Sequence, residues 1–359
     1  MSRRVLVVGW DAADWNVIDP LIAKGALPVL VNLIRGGSTG PLASLEPRLS
    51  PLLWTSIATG KAPWRHGVFG FVEPKPDLSG VRPVGSASRR CKALWNIASQ
   101  AGKRVHCAGW FASHPAERIR GICVSDQFAV SPEGSDAGHW PVATGSVQPE
   151  SLAGTLAEFR WHPSENTASD LQPFLHEAAG IDQADPVQQE RIRFLSRTLA
   201  QCASVHGAAT WIMEHEPWDL MMVYYEAIDQ AGHEFMPFHP PRSAGVGEKD
   251  YHHWHPAIEG FYRVHDLMLG RLLELAGGDA TVILLSDHGF ASGDRRPGPV
   301  ANDPATQAAW HRPQGILAIH GPGIAAGERL SEASLLDITP TVLHLLGLPA
   351  GEDMDGKVL

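Results

Sequence analysis

Six potential metal ligands lie near the ends of apolar runs in the sequence: Asp11, Asp229, His233, Asp287, His288 and His311. Asp287 and His288 are the pair most specific for a metal site. Both would lose water at the end of a buried strand, which is unfavourable unless a charged group lies between them. Asp229 and His233 are four residues apart, which places them on one face if this segment is helical. Mixed Asp and His ligation suits zinc, manganese or iron better than magnesium or calcium. Two sets of three such ligands would suit a two-metal site.

Ser50 opens a second stretch that could carry chemistry, SPLLWTSIATG. Serine is a favoured N-cap, Pro51 suits the first helical position, and Gly60 suits the end of a helix, so the stretch predicts a helix with Ser50 as its N-cap. The start of a helix also favours a phosphate group. A hydroxyl at that point, in contact with a metal ion, could attack phosphorus. From this stretch alone, an ordinary helix cap and a nucleophile both remain possible.

Alternating strand and helix patterns would position these residues. Apolar runs predict strands at residues 5–9, 104–109, 220–225, 281–285 and 315–319. Helical patterns occupy residues 92–100, 188–215, 258–275 and 335–346, and a further segment, 14–35, is predicted to break near Pro20 and Pro28. This alternation predicts an α/β fold with a mostly parallel central sheet and helices on both faces. Because ligands bind outside the carboxyl ends of the strands in such sheets, we expect the six residues to meet at one edge.

The segment 128–185 differs from the rest of the chain. It is rich in Pro, Gly, Ser, Glu and His and has weak periodicity. We interpret it as an inserted cap region between two parts of one catalytic core, residues 1–127 and 186–359. A surface excursion without a capping role is an equally good interpretation of this composition.

Composition and charge restrict the class of partner. The net charge of −10 and the pI of about 6.0 argue against a nucleic-acid polymer, which needs clustered Lys and Arg, but not against a small phosphate ester. The four cysteines show no CxxC spacing and indicate buried thiols in a reducing compartment. The first apolar run ends at Asp11, too early for a signal peptide, and no run reaches the roughly 20 residues that span a membrane. We therefore expect a cytoplasmic protein without a membrane partner, whose oligomeric state the sequence leaves open.

Six stretches, in this order, carry a resemblance to a known family: GWDAAD, LSPLLWTSIATGKAPWRHGVFGF, DQAGH, SDHGF, HRPQGILAIHGPGI and DITPTVLHLLGLP. Together they resemble the alkaline phosphatase superfamily and, within it, the type I phosphodiesterase/nucleotide pyrophosphatase branch. The chain is particularly similar to bacterial members that carry WTSIATGK and a stretch like FHPPR. The resemblance covers nearly the whole chain and implies an alkaline-phosphatase-like α/β fold.

The resemblance also implies a two-metal hydrolase of small phosphate esters, most simply a phosphodiesterase, with a covalent phosphoserine intermediate. By position, one divalent metal ion would be held by Asp229, His233 and His311, and the other by Asp11, Asp287 and His288. Ser50 falls at the position of the nucleophile and would contact the second metal ion. Zinc is the expected metal, with manganese or iron as alternatives. His311 is preferred as a ligand over His320, which lies within an apolar strand.

Two positions depart from the family pattern. Many relatives have Thr where this chain has Ser50, which keeps the hydroxyl. Members of the nucleotide branch often carry Asn three residues after the nucleophile, where this chain has Leu53. This change argues against nucleotide pyrophosphatase activity in particular.

Four other functions compete with phosphodiester hydrolysis. Phosphomonoester hydrolysis and phosphoryl transfer to an alcohol would use the same residues. Sulfate-ester hydrolysis needs a C/S-x-P-x-R motif, which is absent because Pro51, Leu52 and Leu53 follow Ser50. A non-catalytic scaffold protein is disfavoured because all seven expected positions carry chemically competent residues.

Overall fold

The computed structural model describes residues 3–132, 134–176, 185–297 and 304–359. The strands among these residues are β1 (Arg4–Trp10), β2 (Gly37–Ala43), β3 (Val72–Pro74), β4 (Val81–Pro83), β5 (Val105–Ala108), β6 (Cys123–Val124), β7 (Val147–Gln148), β8 (Leu220–Tyr225), β9 (Ala280–Leu285), β10 (Gly289–Phe290), β11 (His311–Arg312), β12 (Gln314–His320) and β13 (Ala333–Ser334). The α-helices are α1 (Trp15–Ala23), α2 (Pro28–Arg35), α3 (Ser50–Thr59), α4 (Pro63–His66), α5 (Leu94–Gln100), α6 (Ala153–Ala157), α7 (Ala168–Leu171), α8 (Pro186–His215), α9 (Ala227–Phe235), α10 (Glu248–Trp254), α11 (Ala257–Ala276), α12 (Pro304–Gln307) and α13 (Ile338–Leu345).

A nine-stranded sheet forms the centre of the molecule, with the strand order β13-β2-β12-β9-β1-β8-β5-β6-β7. Strand β1 lies between β9 and β8 and pairs with both in parallel. Among the described strands of this sheet, only β12 and β7 run against the direction of the others. Two small antiparallel pairs, β3–β4 and β10–β11, lie outside it. The expectation of a mostly parallel α/β sheet is confirmed.

Both faces of the sheet are covered, which explains why its central strands read as unbroken apolar runs. In β8, Met221, Val223 and Tyr225 face a core that includes side chains of α8 and α11. Met222 and Tyr224 face the opposite core, which includes side chains of α3, α5 and α13. The carboxyl ends of β1, β8 and β9 lie side by side at one end of the sheet, where polar groups that follow these strands can gather.

Some predicted boundaries were wrong. Pro20 lies inside α1, so the helix is not interrupted there. The interruption falls at residues 24–27, directly before Pro28, and Gly25 in this turn has a φ of 71°. Ser50 is the first residue of α3 rather than its N-cap, because the backbone carbonyl of Leu49 accepts the first helical hydrogen bonds, from the backbone N–H groups of Leu52 and Leu53. Gly60 ends α3 in the left-handed conformation, as expected (φ 66°).

The segment 128–185 contributes to the main fold. Its strand β7 pairs antiparallel with β6 at one edge of the sheet, and Leu171 and Phe174 are buried in the core on the α8 face. Residues 133 and 177–184 of this segment lie outside the described residues. The division into a core and an inserted cap stays a prediction.

The cysteines and the helices bear on two further expectations. Cys91, Cys107, Cys123 and Cys202 are free thiols, all buried except the half-buried Cys91, and Cys107 lies opposite Cys123 in the register of β5 and β6. In the described part of the chain, no single helix is both long and apolar enough to cross a membrane. Helices α1 and α2 reach that length and composition only as a pair, and a bend of 105° separates them.

Candidate metal centre and nucleophile

The six predicted ligands meet at the end of the sheet where the carboxyl ends of β1, β8 and β9 lie. Asp11 follows β1, and Asp287 and His288 follow β9, so parallel pairing of β1 with β9 places them side by side. Asp229 and His233 lie on α9, which begins directly after β8. His311 reaches the same place through β11, because it pairs with Phe290 of β10, two residues beyond His288.

The first group consists of Asp11, Asp287 and His288, which are fully buried. The Nε2 atom of His288 lies 3.5 Å from Asp11 Oδ1 and 3.5 Å from Asp287 Oδ2. Asp229 Oδ1 lies 3.9 Å from the same Nε2 atom. Within the first group, His288 is therefore the residue that lies next to Asp229 of the second group.

The second group is centred on Asp229. Its Oδ1 atom lies 3.3 Å from His311 Nε2 and 3.5 Å from His233 Nε2, and the two imidazole Nε2 atoms are 3.0 Å apart. The helical spacing of Asp229 and His233 thus does bring them together on α9. The ring of His288 stacks on that of His311 with centroids 3.8 Å apart, so His288 could serve either group.

The two groups fit divalent cations. Four buried atoms that could act as metal ligands have no hydrogen-bond partner among the described residues: Asp11 Oδ1, Asp229 Oδ1, Asp287 Oδ2 and His288 Nε2. Buried polar atoms are normally satisfied, and a cation bound at each group would satisfy these four. Carboxylate oxygens and imidazole nitrogens are suitable ligands for zinc, manganese and iron. The assignment of the six residues as ligands stays a prediction.

The pKa shifts of the three carboxyl groups also favour bound cations. Burial, and then the charge of Asp229, raise the pKa of Asp11 to about 6. Burial and the charge of Asp11 also raise the pKa of Asp287 well above its ordinary value. For Asp229, burial acts to raise the pKa, but His233 and His311 outweigh it and hold the pKa well below its ordinary value. Three crowded carboxyl groups are therefore only partly compensated by the protein, and cations would compensate the rest.

Asp11 is held by two donors that the sequence did not reveal. The hydroxyl of Tyr224 donates a hydrogen bond of 2.6 Å to Asp11 Oδ2, and the indole nitrogen of Trp54 donates one of 3.0 Å to the same oxygen. These bonds fix the carboxylate so that Oδ1 faces His288. Hydrogen-bond partners of this kind orient metal ligands and tune their affinity.

Asp14 holds the β10–β11 pair in place beside the centre. Its carboxylate accepts hydrogen bonds from the Arg312 guanidinium at 2.5 and 2.6 Å and from the Phe290 backbone N–H at 2.9 Å. It therefore ties the start of α1 to the β10–β11 pair that carries His311. In the sequence, Asp14 is marked only by its place at the end of GWDAAD.

Ser50 is buried at the start of α3, and two residues near it, Arg48 and Trp54, form hydrogen bonds with candidate ligands. The carbonyl oxygen of Arg48 accepts a hydrogen bond of 2.9 Å from His311 Nδ1. Trp54, one turn after Ser50, donates to Asp11 as described above. The start of α3 therefore lies against both groups, and Leu53 is buried in the core behind it.

His320 does not belong to this centre. It pairs with Val282 near the beginning of β9, whereas Asp287 follows the other end of that strand. The ring of His320 packs against Gly36. His311 Nε2 instead lies within the second group. The structure thus brings His311 and not His320 to the other predicted ligands.

Comparison with known proteins gives the family. The model of the family "Type I phosphodiesterase / nucleotide pyrophosphatase" matches residues 5–341, and this family points to a phosphoester hydrolase. A structure of murine ectonucleotide pyrophosphatase/phosphodiesterase 5, an inactive variant in complex with AMP, is 15% identical with a TM-score of 0.54, and the match covers 97% of this chain and 96% of that one. A 2-O GAG sulfatase is 12% identical with a TM-score of 0.59 and covers 100% of this chain and 73% of that one. At these identities the two structures show a shared fold.

A third likeness is short. A segment of 97 residues is 37% identical to 2,3-bisphosphoglycerate-independent phosphoglycerate mutase of Cereibacter sphaeroides (strain ATCC 17025 / ATH 2.4.3). It covers 26% of this chain and spans only 18% of that curated relative. The match over residues 5–341, together with the shared fold, confirms the resemblance found in the sequence: the chain belongs to the type I phosphodiesterase/nucleotide pyrophosphatase family.

Proposed function

We propose that the protein is a metal-dependent phosphodiesterase that acts through a covalent phosphoserine at Ser50. The observation that carries this proposal is the meeting of two Asp/His groups beside the start of α3, with four buried atoms that have no hydrogen-bond partner among the described residues. Membership of a family of phosphoester hydrolases supports it.

Asp11, Asp287 and His288 would hold one divalent ion, and Asp229, His233 and His311 the other. Zinc is the first candidate for both sites. When bound, the ions would supply positive charge for the phosphoryl oxygens and would lower the pKa of a hydroxyl group.

The protein groups would position the reaction. Ser50 would attack phosphorus from the start of α3, where the helix dipole favours a phosphate. The bond from phosphorus to the leaving alcohol would break in this step, and water would then hydrolyse the phosphoserine and restore the Ser50 hydroxyl. His311 donates from Nδ1 to the Arg48 carbonyl, which leaves Nε2 unprotonated and available as a ligand. Tyr224 and Trp54 would keep Asp11 in place while charge develops at the phosphoryl group.

Phosphoryl transfer to an alcohol is the second candidate. The short likeness to a phosphoglycerate mutase favours it, since the name of that relative denotes a phosphoryl-transfer enzyme. Hydrolysis of nucleotide pyrophosphates is less favoured, because Leu53 is a buried core residue where many nucleotide-cleaving relatives carry Asn.

The test uses protein stripped of metal and reloaded separately with zinc and with manganese. Initial rates are measured on a phosphate monoester and a phosphate diester that share one chromogenic leaving group. We expect faster turnover of the diester, dependent on metal. A faster monoester rate would contradict the phosphodiesterase assignment in favour of a phosphatase or phosphotransferase, and no turnover with two metal ions bound would contradict both.

The matched variant is Ser50→Ala, which keeps the six ligands and the helix. We expect it to bind two metal ions per chain, measured by elemental analysis, and to lose turnover. A variant that retains more than about a tenth of the wild-type rate would rule out Ser50 as the nucleophile.

A further inference from the structure

Three histidines that take no part in the candidate metal centre lie together at the surface: His176, His252 and His255. The ring centroids are 5.0 Å apart for His176 and His252, and 4.8 Å apart for His176 and His255. Those of His252 and His255 are 6.4 Å apart. Each ring is thus a neighbour of the other two, and we call these three residues the surface histidine cluster.

The spacing of the cluster suits three imidazoles around one metal ion. With a metal–nitrogen distance of about 2.0–2.1 Å and tetrahedral angles, the ring centroids of two imidazole ligands are roughly 5 Å apart. Two of the three separations in the cluster are close to that value, and the third is longer. His252 is exposed, so its side chain can turn about its own bonds to bring its ring nearer to that of His255.

Helix α10 supplies two of the three histidines. His252 lies in its last turn, and His255 is its C-cap with helical backbone angles, so the two residues lie on the same side of the helix. The Nδ1 atom of His255 donates to the backbone carbonyl oxygens of Tyr251 and His252, at 3.1 and 3.2 Å. Because the proton is on Nδ1, the lone pair of His255 Nε2 is available to a metal ion.

The third histidine comes from a different part of the chain and is held beside α10. The backbone N–H of His176 donates a hydrogen bond of 2.9 Å to the carbonyl oxygen of His253. Phe174 and Leu175, directly before it, are buried in the core on the α8 face. The backbone of all three histidines is therefore positioned by the fold itself, which lowers the entropy cost of binding an ion between them.

The chemistry of the cluster restricts the kind of ion. All three side chains offer imidazole nitrogen, which suits zinc and copper, whereas calcium and magnesium prefer oxygen ligands. The carboxylate of Asp250, two residues before His252, instead accepts a hydrogen bond of 2.7 Å from Gln188 Nε2. Three imidazoles give less electrostatic attraction than the carboxylates of the candidate metal centre, so the cluster would fill at a higher free metal concentration than the centre.

We propose that the surface histidine cluster is a separate binding site for one divalent transition-metal ion, with zinc as the first candidate. The ion would tie residue 176 to the end of α10 and stabilise the folded chain, because it binds the folded state in preference to the unfolded one. This inference goes beyond the proposed function, since the cluster shares no residue with the two groups of candidate ligands.

The test counts zinc ions per chain by elemental analysis, after equilibrium dialysis against buffers of increasing free zinc concentration. The double variant His252→Ala/His255→Ala is compared with the wild type. We expect the variant to reach a plateau one zinc ion per chain lower, whatever the occupancy of the candidate metal centre. The single variant His176→Ala should bind this ion about tenfold or more weakly, since loss of even an indirect support of a metal ligand has an effect of that size.

The matched control is His139→Ala/His215→Ala, which also removes two exposed histidines but leaves the cluster intact. It should reach the plateau of the wild type. A second measurement uses the wild type alone and does not depend on the folding of any variant. Diethyl pyrocarbonate acylates accessible neutral imidazoles, and mass spectrometry locates the modified residues. We expect zinc to protect the three histidines of the cluster and to leave His139 reactive.

The outcomes separate this inference from the proposed function. Equal plateaus for the wild type and a folded double variant, or equal modification of the cluster with and without zinc, would overturn the inference and leave the proposed function standing. An equal loss of zinc in the control variant would overturn it in favour of scattered surface histidines. Loss of more than one ion in the double variant would contradict a site separate from the centre. Failure of the proposed function appears instead as absent metal-dependent turnover, which leaves the zinc count unchanged.

Discussion

At the scale of single residues, Asp11 accepts two hydrogen bonds, and the bond from the Tyr224 hydroxyl is shorter than the bond from Trp54. Replacing Tyr224 by Phe removes the 2.6 Å hydrogen bond but keeps the ring, which packs on Trp54 with centroids 4.6 Å apart. We expect about tenfold or more weaker binding of the metal ion held by Asp11. The measurement is the zinc dissociation constant in competition with a chromogenic chelator.

Tyr225→Phe is the matched control for that experiment. The hydroxyl of Tyr225 bonds to His206 on α8 at 2.8 Å and not to any candidate ligand. This variant should bind zinc as the wild type does. Equal zinc affinity in both variants would show that Tyr224 does not support Asp11.

The candidate ligands and the residues that hold them differ in how far the sequence reveals them. Asp287 and His288 are visible because two polar residues after an apolar strand form a local pattern. Tyr224 is not visible, because its partner Asp11 lies 213 positions away and the bond depends only on the folded sheet. Asp14 is similar, since its partner Arg312 lies 298 positions away.

At the scale of elements, the β10–β11 pair depends on the absence of a side chain at Gly289. A Cβ atom at this position would lie 2.2 Å from Asp14 Oδ2 and 2.5 Å from the Gln314 carbonyl oxygen. Gly289→Ala is expected to destabilise the fold by about 1–3 kcal/mol, because backbone or the buried Asp14 carboxylate must shift. The free energy of unfolding in urea measures this effect.

Gly278→Ala provides the comparison. No atom lies within 4 Å of a Cβ built at Gly278, so we expect a change within about 0.5 kcal/mol of the wild type. A Gly289→Ala variant as stable as Gly278→Ala would contradict the close packing at Asp14.

The elements that sequence patterns revealed are those buried on both faces. Residues 220–225 and 281–285 are apolar throughout, and both are central strands. Strand β2 has the sequence GSTGPLA, which carries no strand pattern, yet it pairs with β12 along seven residues. Its formation depends on tertiary contact: a Cβ atom at Gly40 would lie 1.9 Å from the Leu330 carbonyl oxygen, so glycine permits that close approach.

At the scale of the whole molecule, buried neutral histidines make stability depend on pH. Burial, with Arg89 nearby, lowers the pKa of His66 to about 4, and His66 Nδ1 accepts a hydrogen bond from the Val68 backbone N–H. In the unfolded chain its pKa is about 6.5. The stabilising contribution of the neutral ring is thus complete above about pH 6.5 and is lost as the pH falls towards 4.

We therefore expect His66→Gln to lose about 2 kcal/mol less stability than the wild type between pH 7 and pH 5. Both proteins are unfolded with urea in the presence of a chelator, so that release of metal does not contribute. His139→Gln, which changes an exposed histidine, should follow the wild type. Parallel pH dependence of the wild type and His66→Gln would contradict a neutral buried His66.

The position of β1 in the middle of the sheet has a consequence for how the protein is made. β1 is made before both of its neighbours, β8 at residues 220–225 and β9 at residues 280–285. An apolar strand from the centre of the core therefore stays without its partners until β8 has been made, a condition that favours aggregation unless a chaperone shields the nascent chain. A metal site built from Asp11 and His311 would be complete only after both of these neighbours and β11 have been made, so it could not guide the first steps of folding.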